Sequence, residues 1–149
     1  MKLLLENFRT FLNEAQITWK EPDIPAERGE FKRHAPHFGL AAEELEGYVE
    51  DNGKLITMDK GTDLYNTLQN THMREVSSIE DLDRIGDENE KDFKGIKQGI
   101  EDGSLFNAPI VVKQGDKEPW LVAGNTRLVA AAAYGITPQV WYVKIDEDK

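Results

Sequence analysis

No cysteine occurs in the 149 residues, which removes disulfides, thiolate zinc sites and all thiol chemistry, and permits a reducing compartment. Long apolar runs are missing too. Leu3, Leu4 and Leu5 are followed at once by Glu6 and Arg9, so a signal peptide is not expected, and no stretch approaches the roughly 20 residues that a membrane helix needs. Cations are scarce: 18 Lys and Arg stand against 28 Asp and Glu, for a net charge of -10. Gripping a nucleic-acid backbone requires a basic face, so general DNA binding is expected to be weak or absent. These absences point to a cytoplasmic protein with no membrane role. The acid excess lies upstream, in Glu43-Glu44-Leu-Glu46, Glu50-Asp51 and Ser77 to Asp92. The last third is nearly balanced and is more compatible with an anionic ligand.

What the chain does have is ordinary core material, with 39% hydrophobic residues, enough for one domain plus an extension. Its most organised stretch runs from Trp120 to Gly135. Leu121, Val122 and Ala123 suit a short buried strand, Gly124 permits a turn or close approach that a side chain would forbid, and the alanines at 130–133 favour a helix. Asn125 and Thr126 are placed to cap exposed amides, and Gly135 sits where a left-handed C-terminal cap belongs. Arg127 is the odd residue. A cation in the first turn opposes the helix dipole at a cost of a few tenths of a kcal/mol, roughly, unless an anion sits there too. Free amides, the positive helix end and a guanidinium would then converge on one point, as at phosphate-binding helix N-termini. Gly124, Asn125, Thr126 and Arg127 are therefore the candidate phosphate or nucleotide site. The plainer alternative is a common strand-glycine-helix turn with a surface arginine.

The surrounding order is a helix at 92–102, a strand at Pro109-Ile-Val-Val-Lys113, a hairpin at Gln114 to Pro119, the strand from Trp120, the Gly-Asn-Thr-Arg turn, the alanine-rich helix and a strand from Gln139 to Ile145. With Pro109-Ile-Val-Val112, Gly124-Asn-Thr-Arg127, Ala130 to Ala133 and Gly135-Ile136, this order resembles the ParB/sulfiredoxin superfamily over residues 93–145. The resemblance implies an α/β (α+β) fold, a small mixed sheet flanked by helices, here with an N-terminal helical extension. It also implies a ligand such as a nucleoside triphosphate with magnesium. Superfamily members include CTP-binding ParB proteins, ATP-using sulfiredoxins, a free serine kinase and ParB-like nucleases, so fold alone does not choose an activity. Departures narrow the choice. Sulfiredoxins carry a catalytic cysteine in the turn, which this chain lacks; ParB proteins carry more arginines there and a following helix-turn-helix domain, which is not expected here. The kinase-like members read Asp-Gly-His-Thr-Arg; the acid is replaced by Ala123, which can handle neither a proton nor magnesium, and the imidazole by Asn125, which can donate to a phosphate oxygen but cannot act as an acid at neutral pH. An enzyme would draw its base from Asp116 or Glu118 in the hairpin, or from Asp83, Asp87, Glu88 or Glu90 in the acidic stretch; each also reads as a plain surface carboxylate. No catalytic residue and no metal ligand is assigned. The alternatives are a metal-dependent nuclease or phosphotransferase acting on nucleic acid or its precursors, and a non-catalytic interaction module from a phage.

Earlier in the chain, Leu4, Leu5, Phe8, Phe11, Leu12 and Ala15 recur at helical spacing and predict an amphipathic helix over 3–15, available for self-association or a protein partner. Pro22, Pro25 and Pro36 predict an extended connector over 18–39, so that the boundary falls between 1–39 and a domain at 40–149. The connector holds the most basic segment, Arg28, Lys32, Arg33, His34 and His37, the first candidate for any phosphate contact with nucleic acid. The two histidines read as surface residues rather than metal ligands, lacking a clear third ligand. A helix is predicted from Leu40 to Asn52 with Asn52-Gly53 as its C-cap, a strand at 54–58, a brief helix at 64–68, a strand at 74–76 feeding a turn capped by Ser78, and a mobile acidic loop at 80–92.

Overall fold

The computed structural model describes residues 18–88 and 105–145. The helices expected at 3–15 and 92–102 lie outside them. The fold is a mixed α/β arrangement of two small sheets and, among the described residues, five helices.

The main sheet is built on β4 (Ile110–Gln114), whose Ile110, Val111 and Val112 are all fully buried. A continuous β-branched run suits a strand covered on both faces. β5 (Trp120–Ala123) returns antiparallel to it across the hairpin, and β6 (Gln139–Ile145) lies parallel on its other side. β2 (Gly53–Thr57) pairs antiparallel with β6, giving the order β2-β6-β4-β5. The free edge of β5 is blunted by a side chain. Asn70, at φ 49°, donates from Nδ2 to the Leu121 carbonyl at 2.7 Å and accepts the Leu121 amide at 2.9 Å, as a neighbouring strand would. A second, two-stranded parallel sheet joins β1 (Thr18–Lys20) to β3 (Leu105–Asn107).

The stretch expected to be an extended connector is instead mostly helical. α1 (Arg28–His34) follows a 3-10 turn at Pro25–Glu27 and runs into another at Ala35–Phe38. The prolines did not prevent this because Pro25 and Pro36 both stand at the start of a turn, where a missing N–H costs nothing. Phe31, Ala35 and Phe38 are buried in one cluster with Leu45, Ile110, Val122 and Val143. Residues 28–38 therefore belong to the core around the main sheet.

α2 (Ala42–Asn52) agrees with the expectation, but Gly53 does not cap it in the left-handed region. Gly53 is extended, at φ -83° and ψ 154°, and opens β2. Its lack of a side chain serves Trp141, since a Cβ there would stand 1.8 Å from the Trp141 Nε1 atom. That indole nitrogen donates to the Val49 carbonyl at 2.7 Å, locking α2 across the sheet edge. α3 (Asp63–Thr67) is capped by the Thr62 hydroxyl. The strand expected at 74–76 is a 3-10 turn, Met73–Glu75. Most of the expected acidic loop is α4 (Ile79–Glu88), started by the predicted cap: the Asp81 amide donates to Ser78 Oγ at 3.2 Å, and the Asp81 carboxylate accepts from the Ser77 amide at 3.0 Å. Acids in its first turn favour it through the helix dipole.

α5 (Asn125–Ala133) packs Leu128, Val129, Ala130, Ala131 and Ala133 inward. Alanines make a thin helix that lies close to its neighbours, which include α4 and the Met73–Glu75 turn. Its C-terminal end closes with the Ile136 amide on the Ala131 carbonyl at 2.8 Å and Gly135 at φ 69°, the expected left-handed cap.

Candidate functional site

The candidate turn lies where β5 hands the chain to α5. Gly124 is the N-cap residue, at φ 99°. Its lack of a side chain is doubly required, because a Cβ would also fall 2.6 Å from Pro109 Cβ and 2.7 Å from Pro109 Cα. Pro109 is rigid, and its carbonyl is fixed to the Trp141 amide at 2.7 Å, so it has little room to retreat. The close backbone approach expected at this glycine is thus made to Pro109, the residue that leads into β4.

Asn125 and Thr126 do not cap the helix: α5 begins with no side-chain cap. Asn125 points back across the fold. Its Oδ1 accepts from Thr71 Oγ1 at 2.9 Å and from the His72 amide at 3.1 Å, tying the helix start to the segment before Met73. Its carbonyl oxygen is committed to the fold and unavailable for a ligand. Among the described residues, the first-turn amides of Asn125, Thr126 and Arg127 have no side-chain cap and can face water or an anion.

Arg127 has its anion already. Its Nη2 stands 3.3 Å from Glu27 Oε1, and Nη1 donates to the Asn107 carbonyl at the end of β3. Both side chains of the pair are 18% exposed. Burial holds the Arg127 pKa below its ordinary value, and Glu27 opposes that shift. The chain therefore supplies internally the negative charge that a first-turn cation needs. The link joins the 3-10 turn before α1, the end of β3 and the start of α5, three segments that are distant in sequence. At 3.3 Å the contact is longer than the 2.7 to 2.9 Å, approximately, of a tight charged hydrogen bond, and it uses one carboxylate oxygen.

The carboxylates considered as bases are not gathered here. Asp116 and Glu118 are exposed at the hairpin, which precedes β5 and so lies a strand length from Gly124, about 13 Å for four residues. Asp83 stands on α4; Asp87 and Glu88 lie in its last turn, and Glu90 falls outside the described residues. Among the described residues, no group of three or more His, Asp or Glu side chains could hold a metal ion.

Of the two histidines of the basic segment, His37 is exposed as expected, whereas His34 is partly buried. Trp120 Nε1 donates to His34 Nδ1 at 3.0 Å, and the His37 ring stacks on Trp120 at 3.7 Å. His34 Nε2 lies 3.4 Å from Glu30, so the imidazole is neutral with its proton on Nε2. Burial lowers the pKa of both histidines; Glu30 partly opposes this at His34, and Lys117 adds to it at His37. Arg28 is paired with Glu46 at 3.0 Å and Arg33 with Glu30 at 3.6 Å. Much of the segment's positive charge is thus answered within the fold, which weakens it as a nucleic-acid surface.

A feature that sequence reasoning missed lies at the other end of α5. There a cavity of about 330 Å³ opens among Met58, Lys60, Tyr65, Met73, Leu128 and the residues that follow the helix. Its walls come from four separated segments, and no local motif signals it. Among the described residues, no helix is long and apolar enough to cross a membrane. No protein-family model, curated protein or solved structure matches the chain.

Proposed function

We propose that the chain is a ParB/sulfiredoxin-like domain that binds a nucleotide or another phosphate-bearing ligand at the start of α5. The observation that carries this reading is the uncapped N-terminus of α5 beside the half-buried guanidinium of Arg127. Backbone amides at 125–127, the positive helix end and a fixed cation form an anion site. The Thr126 hydroxyl can add a donor. Because Glu27 holds Arg127 through one long contact, a phosphate oxygen can take its place or sit beside it on the guanidinium's other donors. The arrangement of β4, hairpin, β5, glycine turn, α5 and β6 supports the same family reading.

The test is calorimetry with ATP, CTP, GTP, ADP and inorganic phosphate, each with and without magnesium. Binding by the parent and its weakening, not loss, in Arg127→Lys would support the site, since lysine keeps the charge and loses the two-pronged geometry. Thr126→Ala should weaken binding by roughly five-fold, the worth of one hydroxyl donor. Binding unchanged in both variants, or no binding by the parent, overturns the reading. Phosphate release from a bound triphosphate on adding magnesium would extend it to an enzyme.

A further inference from the structure

We infer that the cavity at the C-terminal end of α5 is a second ligand site, for a small organic acid with a flat or branched apolar body. This does not rest on the phosphate reading, because the two sites lie at opposite ends of the helix. The volume of about 330 Å³ falls within the range of small-molecule pockets, roughly 300 to 1,000 Å³. Its floor is apolar and buried: Met58, Met73 and Leu128 are 0%, 1% and 1% exposed. Two methionines add polarisable, adaptable surface that suits an aromatic ring. Tyr65 forms a wall and is held there, its amide donating to the Thr62 hydroxyl at 3.3 Å and its carbonyl accepting from Arg74 at 2.9 Å. Such fixing limits collapse of the empty pocket.

The charge of the ligand follows from the rim. Lys60 lines the cavity and, among the described residues, makes no ion pair or hydrogen bond. Asp59 and Asp63 flank it in sequence, yet neither reaches it. The turn presenting Lys60 is ordered, since both the amide and the hydroxyl of Thr62 donate to the Asp59 carbonyl, at 3.1 and 2.7 Å. Thr137, which also lines the cavity, is the other polar side chain available there besides the Tyr65 hydroxyl. An apolar floor below one unpaired ammonium and a hydroxyl fits a carboxylate or sulfonate on an apolar body.

Methionine-methyl NMR of the full chain reads this site directly, because the three methionines are Met1, Met58 and Met73 and two of them floor the cavity. The probes are indole-3-acetate and its neutral amide. Indole-3-acetate should move the Met58 and Met73 methyl signals, with Kd on the order of 1 mM or tighter. The amide should bind several-fold more weakly, and Lys60→Gln should remove that preference, a loss of roughly five-fold for one exposed charge contact. Ala132→Leu, which fills the cavity, should abolish both responses. The site is refuted if neither methyl moves. Its acid preference is refuted if acid and amide bind alike, or if Lys60→Gln binds the acid as the parent does. Adding inorganic phosphate should leave the two methyls in place, so failure at the turn and failure here are read separately.

Discussion

The two ends of α5 share a glycine at positive φ and a nearby cation, and differ in how tightly these are held. The φ values are 99° at Gly124 and 69° at Gly135, and the cations are Arg127 at the first end and Lys60 at the second. At the N-terminal end the glycine is jammed against Pro109, the neighbouring asparagine is bound to Thr71 and His72, and the arginine is paired with Glu27. At the C-terminal end a Cβ on the glycine would meet nothing within 4 Å, and the lysine is unpaired among the described residues. The first end is built for rigidity and the second leaves room. A ligand at the first would compete with contacts that also hold the fold, whereas one at the second would not.

The largest effect expected from this contrast is at Gly124. Gly124→Ala combines a left-handed residue, costing about 1 to 2 kcal/mol, with an overlap against Pro109 that adds 1 to 3 kcal/mol, roughly, as overpacking does. Urea unfolding should therefore show a loss of about 3 kcal/mol or more. A loss under about 1 kcal/mol would mean that Pro109 moves aside freely and the tight approach is unimportant.

Next comes the Glu27–Arg127 pair. A first-turn cation with no partner would make Arg127→Ala neutral or slightly stabilising, since its charge opposes the dipole. With Glu27 beside it and both side chains only 18% exposed, removing either partner strands a largely desolvated charge. The cost is about 3 to 5 kcal/mol for a fully buried pair, and about 2 kcal/mol after discounting for the remaining exposure. Glu27→Ala and Arg127→Ala should each lower the urea midpoint, and Glu27→Gln with Arg127→Met together should recover part of the loss. An Arg127→Ala variant as stable as the parent would show that the arginine is held for a ligand alone.

Much of the distal half was legible because its signals are local. The β-branched run of β4, the alanines of α5 and the glycine at 135 each dictate their own element, and Ser78 three residues before Asp81 marked the start of α4. The partner of Arg127 was not legible. Glu27 lies 100 positions away, and only folding of the segment after β1 brings it near. The segment at 18–39 is illegible for a related reason: prolines read locally as breakers, but Pro25 and Pro36 occupy turn starts, and Phe31 with Phe38 carries helical burial spacing. The cavity was equally hidden, since Met58, Tyr65, Met73 and Leu128 share no motif and meet only through the fold. The strand-glycine-helix turn is readable from adjacent residues, but what Asn125 and Arg127 touch is not.

The smallest effect should appear at Gly135, and it isolates the backbone term. Its φ of 69° is left-handed as at Gly124, but a Cβ there enters open space. Gly135→Ala should therefore cost only the conformational term, about 1 kcal/mol, and Gly135→Asn less, because asparagine tolerates that region. The difference between the Gly124→Ala and Gly135→Ala losses then measures the contact with Pro109, with the strain common to both positions subtracted. Pro109→Ala provides the cross-check, since removing ring atoms relieves only part of an overlap that also involves the Pro109 Cα. In a double-mutant cycle, Gly124→Ala should cost less on the Pro109→Ala background, while Gly135→Ala should cost the same on both. Equal costs for Gly124→Ala on the two backgrounds would locate its penalty in the backbone alone, and the two ends of α5 would then differ in their charge partners but not in their packing.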